Sequence, residues 1–176
     1  MDNNFLSSYK EEIDALANVG INKVFYNSSA AHASIVLNAM VRNADRHIDI
    51  YCNNMLSDIS NNKEYISLVG RFLNGNSTRT IRVLFAEYSE SFNRTKIYSI
   101  FAEYPNQVEL KRLPDYKILY KNKAVNFTIV DNKAFRLETN VDDRIAYGNF
   151  NDPKNAQVLS DVFNTFFNSA EEISIN

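Results

Sequence analysis

Cysteine and histidine are almost missing from the 176-residue chain: Cys52 stands alone, with only His32 and His47 as imidazoles. A single thiol forms no internal disulfide, which points to a reducing compartment such as the cytoplasm. These three side chains fall short of the four ligands of a usual zinc site, so no metal is expected. Glycine is scarce too. Gly20, Gly70, Gly75 and Gly148 are scattered, which excludes a glycine-rich phosphate loop, and no cofactor is expected. No run approaches the ~18 apolar residues of a membrane span. The start, MDNNFLSSYKEE, has neither the basic nor the apolar region of a secretory signal. A net charge of −2 argues against a protein built mainly to grip nucleic acid.

What is present is ordinary globular material, 45% hydrophobic and 23% charged, in an amount that suits one domain over residues 1–176. Asparagine makes up about one residue in seven, the mark of an AT-rich bacterial or phage genome. Ser8 and Glu11 have the spacing of a capping box, predicting a helix from Ser8 to Gly20, and residues 21–26 read as a strand. Together, residues 1–27 form an N-terminal helix–strand extension. Beyond it, helices are expected over 30–45, 62–74 and 92–104, with a last one starting at Asp152-Pro153. Strands are expected over 47–54, 80–87 and 107–113, with an extended piece over 144–150. This alternation predicts an α/β sandwich around a mixed sheet.

Residues 124–139, AVNFTIVDNKAFRLET, read as a β-hairpin. A two-residue loop would set Phe127 against Glu138. A three-residue loop, Asp131-Asn132-Lys133, pairs Phe127 with Leu137 and Ile129 with Phe135, and sets Asn126 opposite Glu138 and Thr128 opposite Arg136. A one-residue slip exchanges the faces, so the second register is predicted. It gives one apolar face and one polar face of Asn126, Thr128, Arg136 and Glu138.

The order strand, helix, strand, helix, strand, hairpin, Asn-containing segment, final helix over roughly residues 30–170 resembles one half of the phospholipase D-like superfamily. There the first hairpin arm carries His-x-Lys-x-x-x-x-Asp, followed by a Gly-Ser-x-Asn-like segment. In AVNFTIVD, Ala124 stands at the histidine position, Asn126 at the lysine position, and Asp131 is retained. Tyr147-Gly148-Asn149-Phe150-Asn151-Asp152 falls where the second segment would lie, without its Ser or its spacing. The resemblance implies a phospholipase D-like α/β fold with helices on both faces of the sheet. It also implies a homodimer whose motifs face each other. Loss of the imidazole and the ammonium implies loss of the covalent phosphohistidine route, because a methyl group cannot attack phosphorus.

The leading expectation is therefore a non-catalytic binding, sensor or adaptor module in the bacterial or phage cytoplasm. The competing one is a phosphodiesterase or nuclease of phage defence, rebuilt around Arg136 and Glu138 with Asp131 as a further catalytic candidate. Lys133, Asn126, Thr128, Asn149 and Asn151 are candidates for holding a phosphate-containing ligand. Each has a plainer reading. Asp131 reads first as a turn residue bonding its own backbone, Asn149 and Asn151 as local caps, and Arg136 with Glu138 as a satisfied polar pair. His32, His47 and Cys52 read as structural. Tyr51, Asn53 and Asn54 lie where α/β sheets commonly bind ligands and form a second-rank site. Residues 111–123 carry five basic side chains and two tyrosines, a pattern that suits nucleic acid but reads first as an exposed sheet edge.

Overall fold

The computed structural model describes residues 3–114 and 117–175. Helix α1 (Asn3–Val19) leads to β1 (Val24–Ser28), α2 (Ala30–Arg42) and β2 (His47–Cys52). Then follow α3 (Lys63–Gly75), β3 (Thr80–Phe85), a 3₁₀ turn (Glu90–Arg94), α4 (Lys96–Glu103) and β4 (Val108–Arg112). A small two-stranded ribbon, β5 (Leu119–Tyr120) and β6 (Lys123–Ala124), precedes the hairpin β7 (Asn126–Val130) and β8 (Ala134–Asn140). Strand β9 (Ile145–Asn149), α5 (Pro153–Ser169) and β10 (Glu171–Ile173) complete the order.

The eight-stranded sheet runs β1-β9-β8-β7-β2-β3-β4-β10, with β2, β3 and β4 parallel and the remaining pairs antiparallel. One face carries α1 to α4 around a core that includes Ile13, Val36, Met40, Ile48, Phe72, Val83 and Phe101. The other face carries α5, whose Phe163 and Phe167 pack on Tyr51, Leu84, Phe127 and Ile129. Fully burying side chains of this size is worth about 1.5–3 kcal/mol each, so α5 is fixed mainly by its two phenylalanines. The fold is the expected phospholipase D-like α/β sandwich, a mixed sheet with helices on both faces. No helix among the described residues is long and apolar enough to cross a membrane.

The hairpin takes the three-residue loop. Asn126 pairs with Glu138, Phe127 with Leu137, Thr128 with Arg136 and Ile129 with Phe135. Asp131 and Asn132 adopt left-handed backbone, φ 52° and 53°, which these short polar side chains tolerate better than most.

Three sequence expectations need correction. Helix α1 starts upstream of Ser8, whose hydroxyl bonds back to the Asn4 carbonyl at 3.1 Å, so no capping box forms there. The helix expected over 92–104 is split: Thr95 ends the 3₁₀ turn and caps α4 through its side chain. The strand expected at 21–26 lies at Val24–Ser28. The Asp152 cap forms as the sequence implies, and Asn62 caps α3, each accepting backbone N–H groups of the first turn. In residues 1–27, α1 packs on α2 and β1 pairs with β9, so both join the main layers. Gly148 is required by close approach. A Cβ there would lie 2.2 Å from the Phe135 carbonyl oxygen and 2.6 Å from the Phe25 ring.

Candidate functional site

The eight candidate residues of the hairpin region separate into two groups. Strands β7 and β8 place Asn126, Thr128, Arg136 and Glu138 on the α1–α4 face, at the end of the sheet where β2 terminates. Asp131, Lys133, Asn149 and Asn151 lie at the opposite end, where β2 begins.

Three members of that second group are tied into the fold by hydrogen bonds. Asp131 does not bond its own turn: its carboxylate accepts from the backbone amides of Asp45, Arg46 and His47 at 2.8, 2.8 and 3.0 Å. It is buried and clamps the α2–β2 connection to the hairpin tip. Asn149 is buried; its oxygen accepts from Asn151 N–H at 2.9 Å and its amide donates to Asn22 at 2.7 Å. Asn151 donates to the Gly20 carbonyl at 2.7 Å. Both asparagines therefore tie the α1–β1 connection to the β9–α5 turn. Lys133 is exposed beside the same connection. His47 is at this end too, with Nε2 3.1 Å from the Asn132 side-chain oxygen.

The first group builds a cavity of about 80 Å³ between the sheet, α2 and the loop 53–60. At a water volume of about 30 Å³, that suits two or three waters or one small ion. Arg136 and Glu138 are both buried, with Nη2 and Oε1 2.9 Å apart. The other Glu138 oxygen accepts from the Asn126 amide at 2.6 Å. The Asn126 oxygen accepts from Asn53 N–H at 2.9 Å, locking its orientation. Thr128 and Cys52 complete the sheet side. Burial raises the Cys52 thiol pKa, with the Glu138 charge adding to the effect, so the neutral thiol is the stable form.

Two members escaped the sequence reading. Asn27, buried in β1, accepts from Arg136 Nε at 3.0 Å and donates to the Arg144 carbonyl at 2.9 Å. Arg144 has left-handed backbone, φ 57°, a conformation that costs a residue of this kind energy unless its surroundings hold it. Asn27 supplies one such hold. The Arg144 guanidinium is one-third exposed at the mouth, 3.9 Å from Glu138. The alternation of β1 marks Asn27 as an inward polar residue, a signal that was present in the sequence; no local pattern marks Arg144.

The remaining candidates are accounted for in place. Tyr51 faces the α5 side; its hydroxyl accepts from Ile118 N–H at 2.8 Å, and burial pushes its pKa up to about 12. Asn53 donates to Glu87 at 3.0 Å, and Asn54 lines the cavity. His32 is buried against Tyr9, with ring centroids 4.2 Å apart, and its Nε2 has no hydrogen-bond partner among the described residues. Ala124 is exposed on β6. Among the described residues no group of acidic, His or Cys side chains is arranged to hold a metal. The basic stretch 111–123 is not a free strip: Arg112 pairs with Glu171, Lys117 with Glu87, and Lys111 stacks on Phe167. Asp115 and Tyr116 of that stretch lie outside the described residues.

No curated protein matches the sequence. Among solved structures, TrmBL2, described as an archaeal chromatin protein with a novel mode of DNA binding, superposes with a TM-score of 0.61 at 13% identity. The alignment covers 95% of this chain and 62% of that one, so the chain spans less than two-thirds of TrmBL2. Nuc from Salmonella typhimurium, a phospholipase D family member, gives 0.57 at 14% identity over 87% of this chain and 97% of its own. NucT from Helicobacter pylori gives 0.59 at 14% over 87% and 99%. Residues 29–174 match the family model described as domain of unknown function DUF7931. The chain belongs to that family, and its fold is that of the phospholipase D-like proteins.

Proposed function

We propose that this chain is a non-catalytic phospholipase D-like module that binds a small phosphate-bearing ligand as a sensor or adaptor. One observation carries the reading: the guanidinium in the ancestral site is already paired, inside the same chain, with Glu138. No imidazole lies beside it. Ala124 occupies the nucleophile's position on exposed β6, and neither histidine lines the cavity. Both Glu138 oxygens are engaged, one by Arg136 and one by Asn126. A carboxylate held in this way is a poor base for activating water.

Binding is a different matter. Arg136 and Arg144 carry two positive charges against the single Glu138 carboxylate, leaving a net positive pocket. Arg136 uses Nε and Nη2, and its Nη1 has no hydrogen bond to a described residue. Arg144 is exposed enough to turn from Glu138 towards an incoming anion, forming a charge-assisted hydrogen bond. The pocket is completed within one chain, so a motif-to-motif homodimer is not needed to build it.

The test is calorimetric titration of the protein with inorganic phosphate and with a short 5′-phosphorylated oligonucleotide, paired with a phosphodiesterase assay across divalent metals. The expected result is saturable binding that Arg144→Ala weakens about tenfold, with no turnover. Metal-dependent cleavage abolished by Glu138→Gln would establish the rebuilt-enzyme reading instead.

A further inference from the structure

The pocket is lined by three charged side chains, and one of them has the wrong sign for a plain anion site. Arg136 and Arg144 stand there with Glu138. The side chains of Arg136 and Glu138 are only 5% and 3% exposed, so a ligand meets charges that little water screens. A site made only to attract anions needs cations and N–H groups. A carboxylate set among them repels every anion that enters.

Neutralising Arg136 accounts for one Glu138 oxygen and leaves the other to be explained. Oε1 accepts from Arg136 Nη2 at 2.9 Å. Oε2 accepts from the Asn126 amide at 2.6 Å, with Arg144 Nη1 3.9 Å away, beyond hydrogen-bond reach. Asn126 is not free to turn, because its own oxygen accepts from Asn53 N–H at 2.9 Å. Each carboxylate oxygen has two lone pairs. With one hydrogen bond accepted, Oε2 has acceptor capacity left close to the guanidinium that an incoming anion meets at the mouth. The pocket thus sets a donor and an acceptor a few ångströms apart.

We infer, resting on the ligand reading above, that Glu138 determines the specificity of the pocket: it admits oxyanions that carry a proton and turns away those that do not. The bound anion sets ionised oxygens against Arg136 and Arg144 and donates its O–H to Glu138 Oε2, the proton staying on the anion. That charge-assisted hydrogen bond offsets the repulsion. An anion without a proton leaves two negative groups facing each other in a buried place, and a site rejects it by that cost. Hydrogen phosphate satisfies the requirement, and the cavity suits one small ion. Sulfate has the same tetrahedral shape and the same charge as the hydrogen phosphate dianion, but no proton. An internal phosphodiester has none either. A phosphate monoester loses its second proton at about pH 6, so at neutral pH it enters only after taking one up. Inorganic phosphate is the preferred ligand.

The test is calorimetric titration of the full chain at pH 8 with inorganic phosphate, sulfate and methyl phosphate. All three are then dianions, and only the first carries a proton. The wild type is expected to bind phosphate at least about tenfold more tightly than either of the others. Glu138→Gln and Glu138→Ala, each checked by circular dichroism, are expected to bring the three affinities within about threefold of one another, chiefly by strengthening sulfate and methyl phosphate. The wild-type series needs no variant, so it decides the matter even where a substitution prevents folding. Equal affinities for the three anions in the wild type would overturn the inference and leave the ligand reading standing. A preference for phosphate that survives in a folded Glu138 variant would do the same. Binding of none of them would remove the ligand reading, and the inference with it.

Discussion

Two carboxylate–guanidinium pairs, each with a buried carboxylate, lie on opposite faces of the sheet, and they differ in how fully they are satisfied. Asp49 and Arg82 sit side by side on the parallel strands β2 and β3 and make a bidentate contact, 2.8 Å at each end. The Arg82 guanidinium is then covered by the Phe163 and Phe167 rings at 5.0 and 5.1 Å. The hydrogen bonds to Asp49 hold the Arg82 pKa above its already high ordinary value. That pair, its guanidinium about a quarter exposed, fastens α5 to the sheet. Arg136 and Glu138 share one contact, distribute their other groups to Asn27 and Asn126, and line open space. The same chemistry makes a rivet in one place and the lining of a cavity in the other; the difference lies in what surrounds the charges.

The comparison is broken most severely at the rivet. Asp49→Ala strands a guanidinium among aromatic rings and should cost about 3–5 kcal/mol in a urea titration, with loss of α5 packing visible in the near-ultraviolet spectrum. Glu138→Ala should cost less, about 2 kcal/mol, because the removed side chain enlarges the cavity enough to admit water beside Arg136, and Asn27 still accepts from its Nε. It should also strengthen phosphate binding by removing the competing anion. Equal costs for the two substitutions would mean that the pocket pair is as closed as the other. Asp152→Ala should cost about 1 kcal/mol through the lost α5 cap. The Asn155 hydrogen bonds lower the Asp152 pKa, so its stabilisation is present above the unfolded carboxylate pKa and fades as pH falls through the folded one.

The smallest effect concerns alkali. Burial raises Tyr51 and Tyr9 from 10.0 to about 12. For an acid whose folded pKa is raised, stability is full below the unfolded value and is lost as pH climbs towards the folded one. The urea midpoint should therefore decline between about pH 10 and pH 12, more shallowly in Tyr9→Phe.

The hairpin shows how much the sequence disclosed. Its register followed from pairing greasy with greasy and polar with polar, so the common face of Asn126, Thr128, Arg136 and Glu138 was legible before any coordinates. The helices expected over 30–45, over 62–74 and from Asp152-Pro153 were legible through periodicity and, for the last, its cap; they lie at Ala30–Arg42, Lys63–Gly75 and Pro153–Ser169. What stayed hidden was short or distant. Strand β10 and the β5–β6 ribbon are two or three residues long, too short for alternation to register. The role of Asp131 depends on amides 84 to 86 positions away. Asn27 meets Arg136 across 109 positions. Ser8 misled because a good capping pair inside a helix reads like one at its start.

The central claim is that the pocket holds phosphate without cleaving it. Phosphorus-31 NMR of the protein with a 5′-phosphorylated oligonucleotide and magnesium tests this most directly. The account predicts a terminal phosphate resonance that shifts or broadens on binding, recovers with Arg144→Ala, and yields no new phosphorus signal over hours. Steady growth of a cleavage product that disappears with Glu138→Gln would contradict it.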